Sequence, residues 1–316
     1  MKAHPALIVA VGVVFTAFSA ILIRLSDAPP LVIATYRMGF TSVLLTPLFL
    51  RERLSRRPQQ PEPAGPPAGE APAREVPRQA LLLSVLSGLF LAAHFASWIS
   101  SLSHTTVASA TVLVTTHPLM VAVLGLIFLG ERVGVKGALW MIGAVGGGVV
   151  LVAGDLGGGE TSTYGNLLAL GGALTVSVYI IIGRYARRYL TVNAYTMLVY
   201  WTAFLTLLLV TVMAGEPLWP YPAREFVLFA ALAVFCTLLG HSLFNWALEF
   251  LPTTVVSTSI LGEPIIATLL AMMIFAEIPS AWTVSGGVII LASISLFVRE
   301  HNAAERSRKL TGAPRL

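Results

Sequence analysis

The sequence predicts an all-α integral membrane protein, ten transmembrane helices arranged as two five-helix repeats of inverted topology. Three observations predict it. Hydrophobic residues make up 56% of the 316 and charged ones only 11%, with a mean hydropathy of +0.82, so there is too little polar surface to cover a water-soluble globule. The apolar residues fall into ten runs, each near the roughly 20 residues that the hydrocarbon core of a bilayer requires. Two stretches also carry the same residues in the same order. The first has Trp98, Thr105-Thr106-Val107, His117-Pro118 and Glu131; the second has Trp246, Thr253-Thr254-Val255, Glu263-Pro264 and Glu277. In both copies the tryptophan precedes the first threonine by 7 residues and the proline precedes the glutamate by 13. Five crossings per unit is an odd number, so the second unit must enter the membrane upside down.

The first span, about 5 to 25, follows Lys2 and stops at Arg24. Its Ala17-Phe18-Ser19 has the small-x-small form of a signal-peptidase site. Cleavage would leave nine spans and delete the partner of the sixth, so the duplication argues for retention. The second span, about 30 to 50, opens at Pro30 and ends at Arg51. Residues 54–78 then change character: seven prolines with scattered glycines and charges read as a disordered or polyproline-like cytoplasmic insertion within the first repeat. Spans three to five, about 79 to 102, 106 to 129 and 134 to 153, complete that repeat at residues 1–153. Only Ser103-His104 and neighbours separate the third from the fourth, so those two helices are antiparallel neighbours. The fifth carries Gly143-x-x-x-Gly147, and the tenth Gly286-Gly287, close-packing surfaces that suit either each other or a second copy. The glycine-rich loop from Gly154 to Tyr164 is the seam. The second repeat, 163–299, holds spans at about 163 to 184, 193 to 213, 225 to 250, 254 to 276 and 281 to 298. Residues 300–316 form a basic tail suited to anionic lipid.

The formal charge of +5 marks sidedness rather than a nucleic-acid partner. With the N-terminus inside, the inner segments hold Lys2, the six arginines from Arg51 to Arg78, Arg132 and Lys136, Arg184, Arg187 and Arg188, and the five basic residues from Arg299 to Arg315. That places nearly all Lys and Arg on one side and both termini in the cytoplasm of a bacterial inner membrane. A single cysteine, Cys236, excludes an intrachain disulfide and a cysteine-based metal site. There is no His-Glu-x-x-His, no close pair of membrane aspartates and no Gly-x-x-x-x-Gly-Lys-Ser/Thr loop. The expectation is a non-enzyme without metal or cofactor. An intramembrane lipid-acting enzyme is the weakest alternative, and a passive facilitator or channel the stronger one.

Polar residues inside spans are the informative ones, because a charge at mid-bilayer costs about 2.5–3.5 kcal/mol even on lenient insertion scales. The third span puts His94, Trp98 and Ser101 on one helical face, and the eighth puts His241, Ser242, Asn245, Trp246 and Glu249 on neighbouring turns. The fourth offers Thr111, Thr115, Thr116 and His117; the ninth offers Thr254, Thr258, Ser259 and Glu263. The first and sixth present Phe15, Thr16 and Ser19, and Thr175 and Tyr179. Hydroxyls of this kind also serve as plain glue between membrane helices. Trp98 has two readings, a cavity wall or an interfacial belt residue. Glu263 and His117 each precede a helix-breaking proline, so each is either a satisfier of freed backbone or a titratable coupling group. Glu263 additionally suits a substrate amine. Arg37, roughly 10 Å into its span, suits either an anionic substrate group or helix carbonyls. Glu131 and Glu277, at span ends, suit capping or loop pairing.

The chain resembles the EamA-type branch of the drug/metabolite transporter superfamily over nearly all its length outside the insertion. The resemblance rests on the duplication, Tyr36-Arg37, Trp98 to Thr106, Gly130-Glu131-Arg132, Asn245-Trp246-Ala247-Leu248, Thr253-Thr254 and Glu263-Pro264. It implies inverted repeats, a central cavity lined by the first, third, fourth, sixth, eighth and ninth spans, and export of amino acids or related metabolites. Where many members have Glu or Asn before the proline of the fourth span, this chain has His117. On that basis the expected substrate-binding residues are Phe15, Ser19, His94, Trp98, Thr115, Tyr179, His241, Asn245, Trp246 and Thr258. His117, Glu263 and Arg37 are expected as coupling or helix-break residues. The expected partners are a small-molecule substrate, the lipid bilayer and protons as coupling ion; the chain is a monomer or a homodimer.

Overall fold

The computed structural model describes residues 5–55, 77–129, 134–155, 163–187, 189–241 and 261–311, and among them there is no strand. The helices are α1 (Pro5–Arg24), α2 (Pro30–Ser55), α3 (Arg78–Ser101), α4 (Val107–Val114), α5 (His117–Leu129), α6 (Val135–Asp155), α7 (Thr163–Ala186), α8 (Val192–Met213) and α9 (Ala223–Ala231). A π-helical segment, Leu232–His241, continues α9, and α10 (Glu263–Phe275) and α11 (Ala281–Thr311) follow. Seven helical stretches are long and apolar enough to cross a bilayer, and Val11–Arg24, Val135–Leu151 and Glu263–Phe275 are shorter apolar helices. Large apolar side chains face outward, among them Phe128 at 72% exposure, Ile142 at 68% and Met273 at 83%. A water-soluble surface does not tolerate such a continuous coat; hydrocarbon does.

Local chemistry sets the helix ends. Thr106 caps α4, its Oγ1 accepting from the Ser109 N–H at 3.1 Å, and Thr191 caps α8 through Ala194 at 3.2 Å. The fourth span, Val107–Phe128, is broken into two helices before Pro118, as its proline leads one to expect. Pro118 has no N–H to give the Val114 carbonyl one turn back, and the chain opens there. His117 Nδ1 donates to that same carbonyl at 3.3 Å, while Thr115 and Thr116 hydroxyls take Val112 and Leu113 carbonyls at 2.8 and 2.7 Å. At the other end of the chain α11 runs on to Thr311, so most of the expected tail from 300 continues the helix of the last span. The proline-rich insertion lies outside the described residues, apart from the ends at 54–55 and 77–78.

Three helix pairs that join the two halves pack antiparallel. Along α2 and α8, Thr35 pairs with Thr211 while Thr46 meets Met197, the opposite ends of the two helices. Along α3 and α7, Ser87 bonds the Tyr179 carbonyl and His94 the Gly172 carbonyl, and beyond the end of α3 Thr105 bonds Asn166. Along α6 and α11, a Cβ on Gly147 would meet Gly286 O and Ile290 N at 2.9 Å, and one on Gly286 would meet Leu151 N at 2.6 Å. The two glycine motifs therefore pack on each other within one chain. The contacts come in exchanged sets: α3 with α7 and α1 with the π-helical segment, α5 with α7 and α10 with α1, α3 with α8 and α2 with α9.

Candidate functional site

The most buried cation of the described residues lies where α1, α2, α3 and the π-helical segment meet. Arg37 is 2% exposed. Its Nε donates to Thr237 Oγ1 at 3.0 Å and its Nη1 to Ser19 Oγ at 2.8 Å. The guanidinium lies over the Phe95 ring at 4.5 Å and near the Trp98 ring at 5.9 Å. Two charge-assisted bonds, at about 1.5–3 kcal/mol each, and a cation–π contact of about 0.5–2 kcal/mol offset the cost of placing this charge in the membrane. Among the described residues no helix carbonyl takes part in holding Arg37. No described carboxylate lies within salt-bridge distance of it either. Glu263 stands within electrostatic reach, its carboxyl beside Thr16 of α1, one turn from Ser19.

The expected site residues divide around this centre. Ser19 and Trp98 belong to it directly. His94 stacks on Trp98 with ring centroids 6.1 Å apart and planes 4° from parallel, and its Nδ1 donates to the Gly172 carbonyl at 2.9 Å, which leaves Nε2 as an acceptor. Trp98 is 5% exposed, so it is not an interfacial belt residue. Its Nε1 is buried without a hydrogen-bond partner among the described residues. Phe15 stacks on Phe235 of the π-helical segment at 5.9 Å, one turn from Ser19. Tyr179 packs near Tyr195, whose hydroxyl bonds Ser87 at 2.7 Å. Thr115 is buried and bonded to its own helix at the α4–α5 break. His117 belongs to the same break, with Ser177 donating to its carbonyl at 3.1 Å. His241 ends the π-helical segment, while Asn245, Trp246 and Thr258 lie outside the described residues, as does Glu131.

Thr237, Phe95 and Cys236 join the cluster without being among the site residues expected from the sequence. Thr237 precedes His241 by about one helical turn, so the polar face of the eighth span begins a turn before His241. Cys236, fully buried, lies beside Ser19 and Arg37. A separate groove of about 340 Å³ between α5 and α7, lined by Met120, Val123, Leu124, Leu170, Gly171 and Leu174, is apolar and holds none of the expected residues.

A second polar cluster closes one end of the bundle. Glu277 Oε1 accepts from the Val107 N–H, the first amide of α4, at 2.6 Å, and Oε2 pairs with Arg24 Nη2 at 3.4 Å. Arg24 Nη1 donates to the Leu102 carbonyl at 2.8 Å. At the same end Glu225 accepts from the Ser26 hydroxyl and Tyr36 donates to the Leu218 carbonyl at 2.7 Å. Glu277 is thus a cap and a loop tie between α1, α4 and α10.

The arrangement gathers polar and aromatic side chains inside an apolar bundle, and among the described residues it holds no nucleophile with a positioned base. Comparison with known proteins agrees in kind. The model of the EamA-like transporter family matches residues 4–153 and again 163–299. The pseudopaline exporter CntI of Pseudomonas aeruginosa, in strains UCBPP-PA14 and PAO1, is 24% identical over 226 residues, covering 72% of this chain and 76% of that protein. A solved crystal structure of a protein 20% identical superposes with a TM-score of 0.58, covering 95% of this chain and 99% of that one, and shares the fold. With both halves matched, the chain belongs to the EamA-like transporter family.

Proposed function

We propose that this protein is a secondary transporter that moves small organic metabolites, amino acids or close relatives, out of the cell by alternating access. Ten crossings in two inverted repeats enclose the solute near the midplane. The observation that carries the reading is the exchange symmetry of the packing. Each contact between helices of the two halves described above has a counterpart with the halves swapped, as a two-fold axis in the membrane plane requires. The double match of the family model along the chain supports the same duplication. The three shorter apolar helices fall where the first, fifth and ninth spans are expected, which with the seven longer ones makes ten. The export direction is supported by the relative named an exporter.

In this mechanism the solute enters from the cytoplasm and rests against α1, α3 and the π-helical segment, and leaves when the Arg24–Glu277–Val107 tie opens. The protein resides in the inner membrane with both termini cytoplasmic, where the positive-inside bias puts them. Glu263 carries the coupling proton. The test is counterflow of labelled amino acids in liposomes, repeated across a pH gradient. Exchange with trans-stimulation is expected, and Glu263→Gln should abolish gradient-driven uptake while leaving exchange. Flux without trans-stimulation would make the protein a passive facilitator instead, and driven uptake unchanged in the variant would remove Glu263 from the coupling.

A further inference from the structure

We infer that Arg37 and the indole N–H of Trp98 together form a subsite for a carboxylate group of the transported solute. The inference rests on the transporter reading above and adds to it which chemical group the solute must carry. Its basis is a count of donors and acceptors. A guanidinium offers five N–H donors and no acceptor, and an indole offers one donor and no acceptor. The structure fills one donor at Nε and one at Nη1, both with neutral hydroxyls. Nη2 has no partner among the described residues. Trp98 Nε1, at a ring 5.9 Å from the same guanidinium, is buried and also without a partner among the described residues. A buried donor left unfilled is costly, and the indole N–H and the unfilled Nη2 edge of Arg37 belong to one cluster. The missing species is an acceptor. Because no described carboxylate lies within salt-bridge distance of Arg37, with Glu263 acting on it only at longer range, a negative acceptor suits the place best.

The surroundings limit which anion fits. A phosphate needs several cations, and Arg37 stands alone among the described residues of this cluster. A carboxylate has two acceptor oxygens and one charge, which match one guanidinium edge and one N–H. Phe95 and the stacked His94–Trp98 pair supply apolar and aromatic surface beside the charge, so the solute is amphipathic. Ser19 and Thr237 hold the guanidinium in orientation from two separate helices, which fixes the position of the free edge.

The experiment uses the full-length protein in detergent and matched probes differing only at the acid: 3-phenylpropionate against 3-phenylpropionamide, and L-phenylalanine against L-phenylalaninamide. Binding is read by thermal shift and by titration calorimetry. The acids should bind at least tenfold more tightly than their amides. Arg37→Gln should erase that preference, and Trp98→Phe, which removes only the N–H and keeps the packing, should weaken acid binding by about tenfold while leaving the amides unchanged. Arg37→Lys, which keeps the charge without the fork, should retain part of the preference. Equal binding of acids and amides, no binding of either, or an undiminished acid preference in Trp98→Phe would overturn the subsite. Liposome counterflow on the same preparations separates the two conclusions. Acid-selective binding without counterflow would keep the subsite and end the carrier reading; counterflow without acid selectivity would do the reverse.

Discussion

Breaking the Glu277 tie should open the bundle toward one side, and the lone cysteine provides a direct reporter. In the observed closed end, Glu277 accepts from the first amide of α4 at 2.6 Å and pairs with Arg24 at 3.4 Å. The amide-to-carboxylate bond is worth about 1.5 kcal/mol, at the lower end for a charged acceptor at a helix N-terminus. Arg24 is 31% exposed in its side chain, so the ion pair adds at most about 0.5–1 kcal/mol. If these contacts exist only in the closed state, Glu277→Ala removes about 2 kcal/mol from it and raises the open population about 30-fold. Glu277→Gln keeps an acceptor for Val107 and loses only charge, so about a fivefold rise is expected. Cys236 is fully buried next to Ser19 and Arg37, beneath this tie, and it is the only cysteine in the chain. Its reaction rate with a membrane-impermeant maleimide added outside intact cells should therefore rise in the order wild type, Gln, Ala, with Cys236→Ser as the unlabelled control. Equal rates in wild type and Glu277→Ala would refute the tie as a barrier, and faster reaction only from the cytoplasmic side of inverted vesicles would refute its placement.

Further outcomes follow from single positions and from the topology. Gly286→Ala places a methyl 2.6 Å from backbone atoms of Gly147 and Leu151, which cannot swing aside, so about 1–3 kcal/mol should be lost and the detergent melting temperature should fall. Gly148→Ala on the facing helix, with nothing within 4 Å, should leave it unchanged. Ala276 holds φ at 54° to turn the chain out of α10 toward Glu277, a left-handed conformation costing about 1 kcal/mol outside glycine, so Ala276→Gly should raise the melting temperature. Reporter tags fused to the two ends should both report the cytoplasm; ends on opposite sides would end the ten-crossing topology.

The sequence displayed the helices more completely than the site, for a physical reason. Span ends are written locally, in Pro30, Arg51 and Pro222-Ala223, because a bilayer punishes charge and unpaired backbone residue by residue. Arg37 was visible for the same reason: a charge that deep in an apolar run is conspicuous. Its partners were not, because Thr237 is 200 residues away in the chain and only packing brings α2 to the π-helical segment. Trp98 shows the same limit. Its place near a span end suited an interfacial belt equally well, and only the α3–α7 contact through Gly172, 3.2 Å from the Trp98 Cβ if a methyl stood there, shows the ring turned inward. His117 was legible as a break residue from Pro118, while the bond by which it satisfies Val114 depends on the actual opening of the turn.

An inverted repeat carries a consequence beyond the half in which a contact is seen. By sequence, Arg24 corresponds to Arg184, Glu277 to Glu131 and Val107 to Val255, with Glu131 and Val255 outside the described residues. If the tie at the outer end is one of two related by the repeat, the other must serve the opposite opening, since a carrier that opened both ends at once would leak. Removing Glu131 should then shift the population the other way. Glu131→Ala should slow external maleimide reaction at Cys236 and speed the reaction in inverted vesicles, and the double variant with Glu277→Ala should return the external rate toward that of wild type, because two losses of similar size on opposite states cancel in their ratio. Additive acceleration from outside in the double variant would show that the two glutamates act on the same state, and the repeat would then be a relation of ancestry without a mechanical one.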